Sequence, residues 1–169
     1  MRLPQPAQPP LPNNRMFTWI KNLFSKKPRV LTGNGPWGFA ATVEGNDIVV
    51  RNAQATWFGG ANDLQDNGET ASGISTKRRP DIQGCALPLN YGPCAGSPIP
   101  KLPWGTRVEV THLASLSTIT VPVIDLGPSR GTGHAIDLTV AAFKTFAPLS
   151  IGKIGVDYRI VGAVRYLKT

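Results

Sequence analysis

Two carboxylates stand where chemistry is expected. Asp125 closes a run of alternating apolar residues and opens the stretch Asp125-Leu126-Gly127-Pro128; Asp137 lies in His134-Ala135-Ile136-Asp137-Leu138. A turn rich in Gly, Pro and Ser (126–133) links the two, so both acids can face one groove. An apolar wall raises the pKa of a carboxyl and makes it a proton donor near neutral pH, while a polar neighbourhood leaves its partner ionised. That division of roles is what cleavage of a glycosidic bond requires. The same two positions suit the plainer task of capping and tying down the turn between them. His134 stands three residues before Asp137, where it either orients the acid or is simply a polar residue at a strand start. Trp57, Phe58 and Trp104 offer rings on which the apolar face of a sugar can stack. Core packing accounts for Trp57 equally well, whereas Trp104, between Pro103 and Gly105, is the better groove candidate. His112 and the Asp and Cys residues form no spaced ligand set, so neither a metal nor a cofactor is expected. Gly131-Thr132-Gly133 is too short for a phosphate loop.

The elements that must hold these residues read mostly as strands. Phe39–Val43, Asp47–Arg51 and Ala55–Phe58 are short, β-branched or aromatic, and separated by Gly or Asn. Residues 60–102 show little periodicity and read as a long loop region, a length that in compact domains signals function or disorder. Thr106–Leu113 and Thr118–Asp125 follow as two clear strands. In the second, Ile119, Val121 and Val123 share one face, and simple alternation puts Asp125 on that same face. Residues 134–138 form a further short strand. Thr139 is expected to cap a helix from Val140 to Phe146 that Pro148 stops, and Val156, Tyr158 and Ile160 alternate in a last strand. About seven strands and one or two short helices predict a small, mainly β barrel.

Composition agrees with a single barrel and an appendage. The chain has 169 residues, 41% apolar and 17% charged, with 18 Gly and 16 Pro, which favours many turns over a helical bundle. Six of the 18 Lys and Arg fall within residues 1–30, where there is no acid; the remaining twelve bases face all ten acids. The net charge of +8 therefore belongs mostly to an N-terminal arm. Residues 4–12 are proline-rich and extended, a spacer or a peptide ligand. Residues 16–24 place Met16, Ile20, Leu23 and Phe24 on one side of a basic helix. Such a segment suits a membrane surface, a partner groove or the chain's own domain. Nothing in the domain matches a nucleic-acid motif, so no specific nucleic acid is expected. No run is long and apolar enough for a transmembrane helix, and no secretory signal is visible at the N-terminus. The expected organisation is an arm (1–30), a strand-rich connector (31–53), the barrel (54–162) and a C-terminal tail (163–169).

Cys85 and Cys94 bracket a Pro- and Gly-containing loop. A disulfide between them is expected, worth about 2.7 kcal/mol by loop closure. It would imply an oxidising compartment, whereas two free thiols would suit a reducing one.

The segments from Trp104 to Leu113, Val121-Pro-Val-Ile-Asp-Leu-Gly-Pro128, Gly133-His-Ala-Ile-Asp-Leu138 and Ala141-Ala142-Phe143 carry more in combination than singly. In order and spacing they resemble the double-psi β-barrel of rare-lipoprotein-A-like proteins. Ala55-Thr-Trp-Phe-Gly59 and Thr70-Ala-Ser-Gly73 resemble that family's opening strand and loop, and the resemblance spans residues 54–162. The family includes septal lytic transglycosylases that act on peptidoglycan glycan strands, and expansins share the barrel. The resemblance implies a six- to seven-stranded double-psi barrel with Asp125 and Asp137 as the catalytic acids; Trp104, Trp57, His134 and Asp81 are the candidate substrate contacts. It implies no cofactor. Two departures bear on activity: Cys85-Ala-Leu-Pro88 stands where the family usually carries a histidine, and Ile74 where it carries a glutamate, with Asp81 a loose substitute for a second loop acid. Two functions follow as expectations. One is a peptidoglycan-cleaving barrel of lytic transglycosylase type; the other is a non-catalytic, expansin-like wall-binding or structural protein, for instance a virion component anchored by its arm. Either places the protein outside the cytoplasm, in periplasm, cell wall or virion.

Overall fold

A computed structural model describes residues 28–33, 37, 39–60, 63 and 67–168. The proline-rich stretch 4–12 and the amphipathic segment 16–24 lie outside the described residues. Eight strands occur in chain order: β1 (Arg29–Leu31), β2 (Ala41–Glu44), β3 (Asp47–Phe58), β4 (Cys85–Leu87), β5 (Arg107–His112), β6 (Thr118–Leu126), β7 (Ile136–Thr139) and β8 (Ile154–Ile160). They form one sheet in the order β1-β2-β3-β7-β4-β6-β5-β8, and a further β3–β8 pairing closes the last six into a barrel. The pairs β3–β7 and β4–β6 are parallel and the other barrel pairs antiparallel. A parallel pair requires a crossover, and two crossovers interlocked in a closed six-stranded sheet give the double-psi form expected from the sequence.

Alternation fills the interior. Val108 and Val110 of β5, Val121 and Val123 of β6, and Val156, Tyr158 and Ile160 of β8 are buried in a single core cluster. The Tyr158 hydroxyl donates to Ala135 O (3.0 Å), which satisfies the buried phenol and fixes the chain just ahead of β7. Two elements differ from their sequence reading. Residues 47–58 make one twelve-residue strand where two short ones are expected. Its two halves are joined by a bulge between Val50 and Ala53, with Asn52 at φ 52°, which keeps Ile48, Val50, Ala53 and Ala55 all in the core. Residues 60–102 contain β4, the strand between β7 and β6. Three consecutive buried residues carry no alternation, so nothing local marks them as a strand. The helix α1 (Val140–Lys144) starts where expected, with the Thr139 side chain accepting from Ala142 N (3.4 Å). It ends at Lys144, two residues before Phe146.

Candidate functional site

The site is built on the outer wall of the barrel where four strands run side by side. Thr56 of β3 pairs with Asp137 of β7, Asp137 pairs with Ala86 of β4, and Ala86 pairs with Asp125 of β6. Paired residues share a face of the sheet. The flanking Cys85, Leu87, Ile136 and Leu138 all belong to the interior cluster and Ala86 does not. Thr56, Asp137, Ala86 and Asp125 therefore form one row facing away from the core. The backbones at the two acids are two strand spacings apart, about 9–10 Å.

Asp125 joins this row through a bulge. Cys85 pairs with Val123, but the next residue of β4, Ala86, pairs with Asp125, so β6 carries one extra residue at Ile124. Simple alternation put Asp125 on the interior face with Val121 and Val123; the bulge turns it outward. Ile124 lies against Gly84, where a Cβ would come 2.6 Å from Ile124 Cδ1. The lack of a side chain at Gly84 is what leaves room for the displaced residue.

The two acids have different surroundings. Asp137 is half-buried, and its Oδ1 accepts a hydrogen bond from the Thr56 hydroxyl. Burial pushes its pKa up, the Thr56 bond pulls in the opposite direction, and the negative charge of Asp125 adds to the rise. A Cβ at Gly127 would lie 3.8 Å from its Oδ2, at ordinary van der Waals distance. Asp125 Oδ1 accepts from two backbone N–H groups, Ala71 (2.8 Å) and its own neighbour Leu126 (2.8 Å). Ser72 N donates to Ile124 O (3.1 Å), so the Thr70–Gly73 loop is pinned to the end of β6 at two points. Asp125 thus ties a loop.

The groove beside Asp125 has a volume of about 440 Å³ and is lined by Ala71, Tyr91, Lys101, Leu102, Trp104 and Leu126, among others. Trp104 is 38% exposed, an unusually open position for the largest apolar side chain. It meets Tyr91 edge-on at 6.5 Å between ring centroids, and the Lys101 ammonium lies 4.9 Å over the Tyr91 ring. Burial raises the Tyr91 phenol pKa, with Asp125 and Cys94 adding to it.

The remaining sequence candidates lie elsewhere. Trp57 packs against the core, and its Nε1 donates to Leu149 O (3.2 Å). His134 makes no hydrogen bond to Asp137; its Nε2 is buried without a partner among the described residues, and burial, then Lys153, lowers its pKa. Asp81 is exposed in a turn ahead of β4. The expected disulfide is corrected: Cys85 and Cys94 are both free and buried. Cys85 belongs to the barrel's interior cluster and Cys94 does not; the Cys94 Sγ lies 3.9 Å from Pro128 O. Four residues escaped the sequence reading. Thr56 stands next to a flagged tryptophan, but only the parallel β3–β7 pairing brings it to Asp137. Tyr91 and Lys101 lie in the aperiodic region, where aromatic and basic residues beside Trp104 were the available signal. Trp37, fully buried with Nε1 donating to Pro128 O (3.1 Å) and Arg130 5.2 Å over its ring, anchors the turn between the two acids.

No protein-family model matches this sequence, and no curated protein does. Solved structures do. A Streptomyces papain inhibitor is similar at 28% identity over 69% of this chain and 96% of that one, with a TM-score of 0.46. An expansin variant from Clavibacter michiganensis in complex with cellohexaose is similar at 22% identity and a TM-score of 0.40. The apo expansin of that organism follows at 20% and 0.39. The chain covers 47% of each expansin, from 63% of its own length. At these values the functional reading is carried by the residues of the site itself.

Proposed function

We propose that the barrel is a peptidoglycan-directed, glycan-cleaving protein of lytic transglycosylase type, in which Asp137 is the general acid and base. One observation carries the reading: a half-buried carboxyl with raised proton affinity stands on the outer wall, in one row with Asp125, whose two backbone donors, Ala71 and Leu126, line an aromatic groove. A carboxyl of that kind keeps its proton to higher pH than an ordinary one and can deliver it to a glycosidic oxygen. The bond from C1 to the leaving oxygen breaks as that oxygen takes the proton. The Asp137 carboxylate then accepts the proton of the sugar's own C6 hydroxyl as O6 closes on C1, giving a 1,6-anhydro ring without water. Thr56 orients Asp137, Asp125 holds the Thr70–Gly73 loop at the groove, and Trp104 with Tyr91 supplies the stacking surface. The motif resemblance to rare-lipoprotein-A-like barrels agrees with this chemistry. An extracytoplasmic location, in periplasm, wall or virion, follows from the substrate, with the basic arm as the contact to a membrane surface or partner proteins.

A second reading is a non-catalytic, expansin-like wall-binding protein. The double backbone tie on Asp125 favours it, because that acid already has a structural task. Incubation with purified peptidoglycan sacculi, followed by mass spectrometry of the soluble products, separates the two. Release of anhydro-muropeptides that Asp137→Asn reduces at least about 100-fold supports catalysis. Sacculus binding without release selects the binder.

A further inference from the structure

A second and larger groove, of about 730 Å³, adjoins the first and has a different character. It runs between β1, the loop 90–101 and the C-terminal residues 166–168, and Tyr91 and Lys101 line both grooves. Arg29, Lys101 and Lys168 bring three exposed cations to it, and among the described residues no carboxyl lines it. Tyr166 gives it a second aromatic ring.

We infer that this groove is a subsite for an anionic glycan: it takes a carboxylate-bearing stretch of the polysaccharide whose neutral rings lie over Trp104. The inference rests on the glycan reading above for its ligand class, and on none of the cleavage chemistry. Three cations without an acid form a surface of one sign, which attracts an opposite charge and costs repulsion when left empty. Lys101 stands at the junction of the two grooves, its ammonium held against the face of Tyr91, so its charge is presented to a strand passing between them. One acid beside the Trp104 groove decides the kind of polyanion: Ala71 and Leu126, whose N–H groups hold Asp125, line that groove. A nucleic acid carries a phosphate at every step and would bring negative charge toward Asp125 as it left the basic groove. A glycan spaces its carboxylates with neutral rings, and those can lie across the Trp104 end without a like-charge clash.

The test is equilibrium binding of the full chain to soluble polygalacturonate and to its methyl ester, which share a backbone and differ in charge. Tighter binding to polygalacturonate is expected, with the preference shrinking as salt rises. Replacing Arg29→Gln and Lys168→Gln together should weaken polygalacturonate binding about fivefold, the scale of two exposed charge pairings, and leave the ester unchanged. Removing two charges elsewhere, Lys144→Gln with Lys153→Gln, should change neither. Equal losses from both double variants would mean bulk charge and overturn the inference. So would an oligodeoxynucleotide whose binding depends on Arg29 and Lys168 as strongly as polygalacturonate does. Absence of anhydro-muropeptides from sacculi would overturn the cleavage reading and leave these binding outcomes as they stand.

Discussion

Replacing Asp137 with Asn should change how stability depends on pH, and in a direction the structure fixes. The folded-state pKa of Asp137 is raised above its unfolded value, chiefly by burial. The folded protein therefore binds this proton more tightly than the unfolded chain does. The associated stability is fully present below the ordinary carboxyl pKa of about 3.9 and is lost as pH rises through the folded value. Asn does not titrate, so the variant escapes that loss. Its Oδ1 can still accept from Thr56, but an amide N–H₂ in place of Oδ2 brings donors to a half-buried position that held an acceptor. An unsatisfied buried donor costs about 1 kcal/mol at all pH values, and relief from burying a charge offsets part of it only where wild type is ionised. The variant should thus be about 1 kcal/mol less stable than wild type below about pH 4, with the deficit shrinking as pH rises through the folded value. For a domain of this size a deficit of about 1 kcal/mol lowers Tm by about 3–5 °C. Paired thermal melts of both proteins at half-unit pH intervals measure it, and other titrating groups cancel in the difference. A difference in Tm that stays constant from pH 4 to pH 7, or that moves the opposite way, would refute the argument that burial governs this carboxyl.

Three further outcomes follow from the same contacts. Asp125→Ala removes the acceptor of two backbone N–H groups and should cost about 1–3 kcal/mol, with amide hydrogen exchange accelerated first at residues 70–74; Asp125→Asn, which keeps an acceptor, should retain most of the protection. Thiol titration in denaturant under non-reducing conditions should find two free thiols, with neither reacting quickly in the native state because burial raises both Cys85 and Cys94; finding none would restore the disulfide. Asp47 accepts from Gly162 N (2.7 Å) and pairs with Arg159 (2.9 Å), and that backbone bond, the larger influence, lowers its pKa. Its contribution is present above about pH 3.9 and lost as pH falls through the folded value, so Asp47→Asn should cost about 1 kcal/mol in a melt at pH 7 and less in acid.

Much of the barrel can be read from local pattern. The alternation Val108-Val110, Val121-Val123 and Val156-Tyr158-Ile160 fixes the inward faces of β5, β6 and β8, because a two-residue period has one solution once a single face must be buried. Thr139 announces the start of α1 because a side-chain oxygen there meets an otherwise orphaned N–H. The identities of the two acids are also legible. Their arrangement is not. Counting by twos gives the face of a residue only while the ladder is unbroken, and the extra residue at Ile124 breaks it just before Asp125. That break depends on Gly84, forty residues upstream, and on pairing with β4, a strand too short and too uniformly buried to show a period. Thr56 reaches Asp137 by a parallel pairing across eighty-one residues, and of the two cysteines only Cys85 joins the interior cluster. Each of these is a relation between segments remote in sequence, set by which strands become neighbours in the closed barrel, and local residue types carry no record of it.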